Sequence, residues 1–411
     1  MKRKTRRIIF YIFLIIFLIL VPLITLFSRG YTFDFEKKTI IRNGGIYLRS
    51  TPQKAEIYID NKLKGKTNKF IKRLLPKIYE IKVEIDDYHI WEKNLTVKPG
   101  IVTKVDTIFL IQKNPKISLN TEKRIDSFSI LPNKKEIAYL SSNLFYIKSQ
   151  DKDEIITTFK LNLPIKWIWS SNNENVILES NNQFYFLNIN DPKVLINLNA
   201  LVQNSNIYEM ENVSFGLGGK RIYFTSKNNL YYLELNESIR DSIVSDILVE
   251  NVSNYIAYKH GIIYQENINE KIYELDLTSF KSAEFFNQVF PGFDQGKWIL
   301  SNDKKKLLSQ KDKTIEILWL DEVFNNSINR EKGDTQEIDL KEKINQVIWL
   351  PHTDEHLIIS TENDILITEL DNRLPQNTIS FIKTENSDIQ YNIKNKTLYF
   401  LEKQKLYEAK I

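Results

Sequence analysis

Cysteine is absent from all 411 residues. That excludes disulfide frameworks, thiolate metal sites and thiol nucleophiles, so stability has to come from cores of ordinary size. Glycine, proline and methionine are scarce, at 12, 11 and 2 residues, and neither a glycine-rich phosphate or dinucleotide loop nor a G-x-S-x-G elbow is present. An excess of one charge is missing too. The net +5 is supplied by Lys2, Arg3, Lys4, Arg6 and Arg7, and the remainder carries 52 basic against 52 acidic residues. A neutral, mixed-sign surface offers no electrostatic footprint for nucleic acid. Phe, Tyr, Ile and Asn are abundant, a balance that favours strands joined by Asn, Asp, Ser and Lys turns. The length calls for two or more cores.

Residues 8–27 read IIFYIFLIIFLILVPLITLF, twenty residues without a charge, enough to cross a hydrocarbon core of roughly 30 Å at about 1.5 Å per residue. Pro22 is tolerable there. The basic cluster precedes the segment and only Arg29 follows closely. The positive-inside rule therefore predicts a cytoplasmic tail (1–7), a single transmembrane helix (8–27) and an extracytoplasmic remainder. A cleaved signal peptide fits less well, because its apolar core is about 7 to 15 residues long and ends in a small-x-small site. Here the exit reads Leu26-Phe27-Ser28-Arg29-Gly30.

From Tyr31 the hydrophobic period becomes two. YTFDF and TIIRN flank a Glu36-Lys37-Lys38 turn as a hairpin. Ile46 and Leu48, then Ile57 and Ile59, alternate with polar residues, Asp60-Asn61-Lys62 forms a tight turn, and IYEIKVEI, WEKNLTV and VTKVDTIFL add strands. Five or more short strands at this spacing predict a small β-sandwich over 28–111. From Gly45 to Leu110 the segment resembles the PEGA domain, a surface-associated module found beyond bacterial membranes. The likeness is carried by Ser50-Thr51-Pro52, Ala55, Ile57-Tyr58-Ile59-Asp60, Gly65-Lys66-Thr67, Leu75-Pro76 and Tyr88. The naming tetrapeptide stands as Pro52-Gln53-Lys54-Ala55, and Lys77 and Asp87 replace two glycines of the family pattern. The resemblance implies a location outside the cytoplasmic membrane and a spacer or adhesive role.

Residues 112–411 repeat with a period of about 40 to 48 residues, the signature of a propeller. An apolar residue, a polar turn and a second apolar run recur at an interval of seven residues from Ile130 to Ile137, Trp169 to Val176, Phe215 to Ile222, Leu300 to Leu307 and Tyr391 to Leu398. The sixth copy, Trp349 to Leu357, has one more residue, and the fourth turns tightly at His260-Gly261. Seven copies predict seven blades starting near 125, 165, 212, 253, 296, 344 and 388. A spare strand at about 115–121 is expected to pair with the last blade and close the ring. The turns around Trp169-Ser170-Ser171-Asn172-Asn173 and Leu131-Pro132-Asn133-Lys134 resemble the WD-like repeats of the propeller in the bacterial Tol envelope system. The fold class expected is thus all-β: an N-terminal transmembrane helix, a PEGA-like β-sandwich and a seven-bladed β-propeller.

Chemistry is harder to locate. His352-Thr353-Asp354-Glu355-His356 fits the H-x-x-E-H zinc pattern, but that chemistry needs two histidines one helical turn apart, and the segment aligns with an interstrand turn. His89 and His260 have no partner at ligand spacing and read as turn or surface residues. Asp86-Asp87 and Asp34-Glu36 fall in turns or surface strands rather than a cleft. Trp167, Trp169, Trp298 and Trp349 recur on the inner strands, where packing between blades is the simpler role and stacking on a sugar or peptide the other. Trp167 and Trp298, with Phe290, Phe293 and Asp294 of the connection around Phe290-Pro291-Gly292-Phe293-Asp294, are candidate ligand contacts at a channel mouth.

No metal and no cofactor is expected, and no catalytic residue can be named. The reading is an extracytoplasmic binding or scaffold protein, single-pass in a bacterial cytoplasmic membrane, whose propeller recognises a protein, peptide or envelope glycan. The alternative is an exported propeller hydrolase or lyase with loop-borne carboxylates, recognisable by ionisable groups converging within about 3 to 9 Å. A signalling receptor would need a separate membrane partner for output.

Overall fold

The computed structural model describes residues 3–411 except 35–37, 150–151, 159–160, 217, 237–241, 259, 326–327 and 352–353. The Glu36-Lys37 turn and His352-Thr353 of the zinc-like motif lie outside the described residues. Two compact units are present. One holds Met1–Asn114, Val323–Asn329 and Glu369–Ile379, and the other holds Pro115–Glu322, Arg330–Thr368 and Ser380–Ile411.

The first unit opens with helix α1 (Arg3–Ser28), whose apolar stretch is not buried anywhere against the chain. No glycine interrupts it until Gly30, whose φ of 82° ends it, with the Gly30 N–H on the Phe27 carbonyl. Pro22 sits inside, and one turn on the Thr25 hydroxyl donates to the Val21 carbonyl at 2.7 Å. Tyr31–Asp34 then pairs antiparallel with Thr39–Arg42.

The sandwich of this unit has a three-stranded sheet, Lys69–Leu74, Gly44–Thr51 and Val102–Phe109, with the last pair parallel. The facing sheet is antiparallel, in the order Lys62–Lys66, Glu56–Ile59, Ile78–Glu84 and Trp91–Thr96. Alternating residues point inward, so Ile46, Leu48, Ile57, Ile59, Ile81 and Val83 form the core with Trp91 and Leu95. The family-pattern residues meet at one point: the Ser50 and Thr67 hydroxyls lie 2.7 Å apart, and Thr67 Oγ1 accepts the Ala55 N–H at 3.1 Å. Asp87, at a glycine position of that pattern, has φ 67°, a conformation Asp tolerates better than most residues.

Lys93 has no sequence motif, yet its ammonium is fully enclosed by bonding partners. It is completely buried, 2.5 Å from Glu369 Oε1, and it donates to the carbonyls of Asp371, Arg373 and Pro375 at 2.8, 2.5 and 2.9 Å. Glu369 also accepts the Trp91 indole N–H at 2.9 Å and the Asn377 amide at 2.6 Å. An ammonium taken from water is tolerated only with its charge paired and its donors filled, and both conditions hold here. The segment Glu369–Ile379, remote in sequence, supplies every one of these acceptors.

The second unit is a β-propeller. Among the described residues it contains seven four-stranded antiparallel sheets, whose first strands are Ser127–Ile130, Ile165–Trp169, Glu211–Phe215, Val252–Tyr258, Lys297–Leu300, Ile344–Trp349 and Asp388–Asn392. The seven-residue interval read from the sequence is a register: Ile130 faces Ile137, Trp169 faces Val176, Phe215 faces Ile222, Leu300 faces Leu307 and Tyr391 faces Leu398. In the sixth sheet Trp349 faces Leu357 across a turn one residue longer. In the second sheet the outer strand is reduced to Ile196–Asn197 and followed by a helix the sequence reading did not anticipate, α2 (Leu198–Gln203). Asn197 caps it by accepting the Ala200 N–H, and Leu198 and Val202, four apart, bury one face.

Polar side chains tie successive sheets together. The Trp167 and Trp169 indoles donate to the Ser127 and Ser129 hydroxyls at 2.7 and 3.0 Å, and Gln346 accepts the Ile389 N–H at 2.9 Å. The last sheet meets the first in the same way, Gln390 accepting the Ile130 N–H at 2.7 Å and donating to the Phe128 carbonyl at 3.3 Å. At the opposite edge of the last sheet, Ile117–Leu119 pairs antiparallel with Lys405–Lys410, Ile117 opposite Ala409 and Leu119 opposite Tyr407.

Two outcomes follow. Lys93→Ala leaves Glu369 buried without its cation and should destabilise the first unit by about 3 to 5 kcal/mol, read by urea unfolding through Trp91, its one tryptophan. Gln390→Leu strands the Ile130 N–H and should cost about 1 to 3 kcal/mol in the propeller transition.

Candidate binding cavity

The first strands of the second to fifth sheets surround a cavity of about 1060 Å³. Its wall takes Lys166 and Trp167, Asn212 to Ser214, Ser253 to Ile256, and Lys297 and Trp298 from those four strands in turn. Two of the strands are bulged there, between Glu211 and Ser214 and between Val252 and Asn254. A bulge adds a residue and re-aims its neighbours, and here it turns Asn212, with φ 49°, and Ser253 to the cavity. A third bulge, between Ile344 and Gln346, occupies the same place on the sixth sheet.

The loop before the fifth sheet is held against the wall. Gly292, at φ 71°, starts a single turn over Phe293–Gln295, and Asn254 Nδ2 donates to the Asp294 and Gly296 carbonyls at 3.2 and 3.0 Å. A Cβ on Gly296 would stand 2.1 Å from Ser309 Oγ, so only glycine lets the loop approach this closely. The Tyr255 hydroxyl donates to the Asn212 carbonyl and accepts from Ser214 at 3.1 Å. Burial pushes its pKa up, so it serves as a neutral strut.

Of the five candidate contacts, the structure brings three together: Trp167, Asp294 and Trp298 all line the cavity. Phe290 and Phe293 do not. They are buried in the core between the fourth and fifth sheets, with the Phe293 ring 5.5 Å from Trp298, so the phenylalanines of the Phe-Pro-Gly-Phe turn pack inward, away from the cavity wall. Trp298 is itself mostly buried, its indole donating to the Phe293 carbonyl at 2.9 Å. Trp167 stacks on Trp169 at 6.2 Å and is half-buried.

Apart from Asp294, sequence reading missed the charged groups. Lys166 pairs with Glu179 at 2.7 Å. Lys297 is open to water but ringed by protein, and desolvation, reinforced by Lys166, pulls its ammonium below the ordinary lysine pKa. Asp388, at the start of the seventh sheet, is raised by burial, an effect Lys297 partly offsets. The signal was present as a repeated dipeptide, Lys166-Trp167 and Lys297-Trp298, opening two first strands.

The zinc-like motif is turn architecture in its described part. Asp354 accepts from the Asn302 and Asp303 backbone N–H groups at 3.3 and 3.0 Å, Glu355 pairs with buried Lys306 at 3.1 Å, and His356 begins a strand. Among the described residues no group of three or more His, Asp or Glu side chains is placed to hold a metal. His89 is half-buried outside the strands and His260 sits exposed in the fourth sheet's turn.

The PEGA domain model matches residues 43–111, the sandwich described above. The propeller is similar to the β-propeller domain of Cps50 (Swd1) from Myceliophteria thermophila, with a TM-score of 0.51 and 9% identity, covering 72% of this chain and 100% of that one. U3-55K aligns with a TM-score of 0.46 and 9% identity over 72% of this chain and 100% of that one. The RRP9 WD40 repeats align with 0.44 and 8% over 73% and 98%. No curated protein matches the sequence. The chain thus carries a match to the PEGA domain over 43–111, an apolar N-terminal helix and a β-propeller.

Lys297 should titrate below the roughly 10.4 of an unperturbed lysine, and Lys166→Met, by removing a like charge, should move it upward. NMR of isotope-labelled lysine Cε checks both.

Proposed function

We propose that the chain is a membrane-anchored binding protein: α1 crosses a bacterial cytoplasmic membrane, both β units lie on the extracytoplasmic side, and the propeller cavity recognises a protein, peptide or envelope glycan. The observation that carries the reading is the wall of that cavity. Bulges aim amides and hydroxyls inward, Trp167 lines the wall as a half-buried aromatic, and Lys166 and Lys297 supply cations. Convergent polar groups around one aromatic surface are the ordinary composition of a recognition site. The five cations before the apolar stretch of α1 favour an N-terminus inside, and the PEGA match accords with a place at the cell surface.

The full chain in nanodiscs, screened against secreted peptides and envelope glycan fragments by tryptophan fluorescence, tests this directly. A ligand whose binding is lost in both Trp167→Ala and Lys297→Met, and kept in a variant at exposed Asn190, is the expected result. Binding that survives both cavity variants contradicts the site. Breakdown of a bound ligand would favour the hydrolase or lyase instead.

A further inference from the structure

The hairpin that follows α1 has its polarity turned inside out. Its register pairs Tyr31 with Arg42 and Phe33 with Ile40, and Thr32 with Ile41 and Asp34 with Thr39. Directly opposed residues of an antiparallel pair share a face, and successive residues alternate between faces. Tyr31, Phe33, Ile40 and Arg42 therefore occupy one side, and Thr32, Asp34, Thr39 and Ile41 the other. Phe33 and Ile40 are 49% and 58% exposed, whereas Asp34 on the opposite face is buried. A hairpin bathed in water turns its carboxylate outward and its Phe and Ile inward. This one does the reverse.

The outward face lies beside the end of α1. An apolar groove of about 440 Å³ runs between them, with Leu23, Ile24, Leu26 and Phe27 on the helix side and Phe33 and Ile40 on the hairpin side. Leu23 stands five residues before the helix ends at Ser28, about 7.5 Å along the axis at roughly 1.5 Å per residue. The exposed pair of the hairpin is thus brought alongside the last apolar turns of the helix. Nothing in the chain buries the apolar stretch of α1, so helix and groove form one continuous apolar surface.

Arginines stand where this surface meets the sandwich. The Arg73 guanidinium lies 4.0 Å from the centroid of the Phe27 ring, Arg42 shares the outward face with Tyr31, and Arg29 follows Phe27 by two residues. All three are exposed, and none forms an ion pair among the described residues. Guanidinium groups at the end of an apolar groove fit a phospholipid, whose phosphate takes the cations while its acyl chain takes the groove. The groove opens onto a helix surface that lipid already covers in a bilayer, so lipid reaches it without a further partner. A two-stranded hairpin has unpaired backbone edges and cannot sink into the hydrocarbon, which sets its level at the headgroup boundary.

We propose that the paired strands Tyr31–Asp34 and Thr39–Arg42 are a lipid seat: a bilayer phospholipid lays an acyl chain in the groove between α1 and the face of Phe33 and Ile40, with its phosphate on Arg29, Arg42 and Arg73. This rests on α1 spanning a bilayer and holds for either leaflet. Such a seat fixes the start of the sandwich at the membrane surface instead of leaving it on a free linker.

The chain has no cysteine, so Ile40→Cys places a single polarity-sensitive fluorophore on the outward face. Thr39→Cys on the opposite face and Gln53→Cys, exposed just past the far end of strand Gly44–Thr51, are the controls. The full chain is assembled into phosphatidylcholine nanodiscs whose lipids carry a nitroxide either near the headgroup or deep in the acyl chain. The expected result is a blue shift and several-fold stronger quenching at Ile40→Cys than at Thr39→Cys, greater from the shallow nitroxide than the deep one. Gln53→Cys stays unquenched, and much of the quenching is lost when Arg29, Arg42 and Arg73 become Gln. Full incorporation with the Ile40→Cys label in water overturns the seat alone. A blue shift without quenching means that protein covers the face and overturns the commitment to lipid. Equal quenching at Ile40→Cys and Thr39→Cys overturns the assignment of faces, and quenching indifferent to the arginines overturns the phosphate contact. Failure of the chain to enter discs at all overturns the membrane reading together with the seat.

Discussion

Each four-stranded sheet of the propeller has two apolar faces, and a neighbour on either side is needed to bury both. For the first and last sheets that neighbour has to be the other, although about 260 residues separate Ile130 from Gln390. Two independent contacts meet this constraint: the Gln390 side chain on the backbone of the first sheet, and the pairing of Ile117–Leu119 with Lys405–Lys410. The aromatic cluster beneath them, Phe128, Tyr139, Tyr146 and Tyr399, belongs to both sheets at once. First strands of other sheets in the same ring form part of the cavity wall, and Asn199 of α2 and Tyr208 to Met210 of the connection after it add to it.

Most of the charged groups that look chemical are structural. Lys306 is buried between Asp303 and Glu355 at 3.3 and 3.1 Å. Burial would raise Asp303, but the Ser301 hydroxyl, the Lys306 charge and the Lys305 N–H more than offset it and leave its pKa lowered. Glu355 goes the other way, because its burial outweighs what Lys306 returns. By linkage, Asp303 contributes stability that is present above its unfolded pKa and lost as pH falls through the folded one. Glu355 opposes this, its contribution being present at low pH and lost as it ionises. Lys93 follows the same logic in the first unit: a fully bonded internal ion holds Glu369–Ile379 in place.

The fold was legible because its unit is local. A hairpin interval of seven residues in the sequence is a cross-strand register in space, and the turn chemistry repeats with it. Lys93 was legible in principle, since Trp91, Lys93 and Leu95 share the inward phase of one strand; its partners, nearly 280 residues away, were not. Phe290 and Phe293 misled because Pro-Gly marks a turn without saying which way the flanking rings point. Helix α2 was hidden in a stretch whose apolar spacing suits either element. The basic excess of residues 28–114, 18 against 10, disappeared into a sum taken over both units, and the cavity bulges left no mark in the sequence.

Native-state hydrogen exchange of the propeller tests closure most directly. If the ring is closed as described, the amides of Ile117–Leu119 and Lys405–Lys410 exchange only through the same global opening that releases the core strands, with one shared free energy. Rapid exchange of those two strands while the first strands of the middle sheets stay protected would mean that the ring is open at this seam, and the account would fail with it.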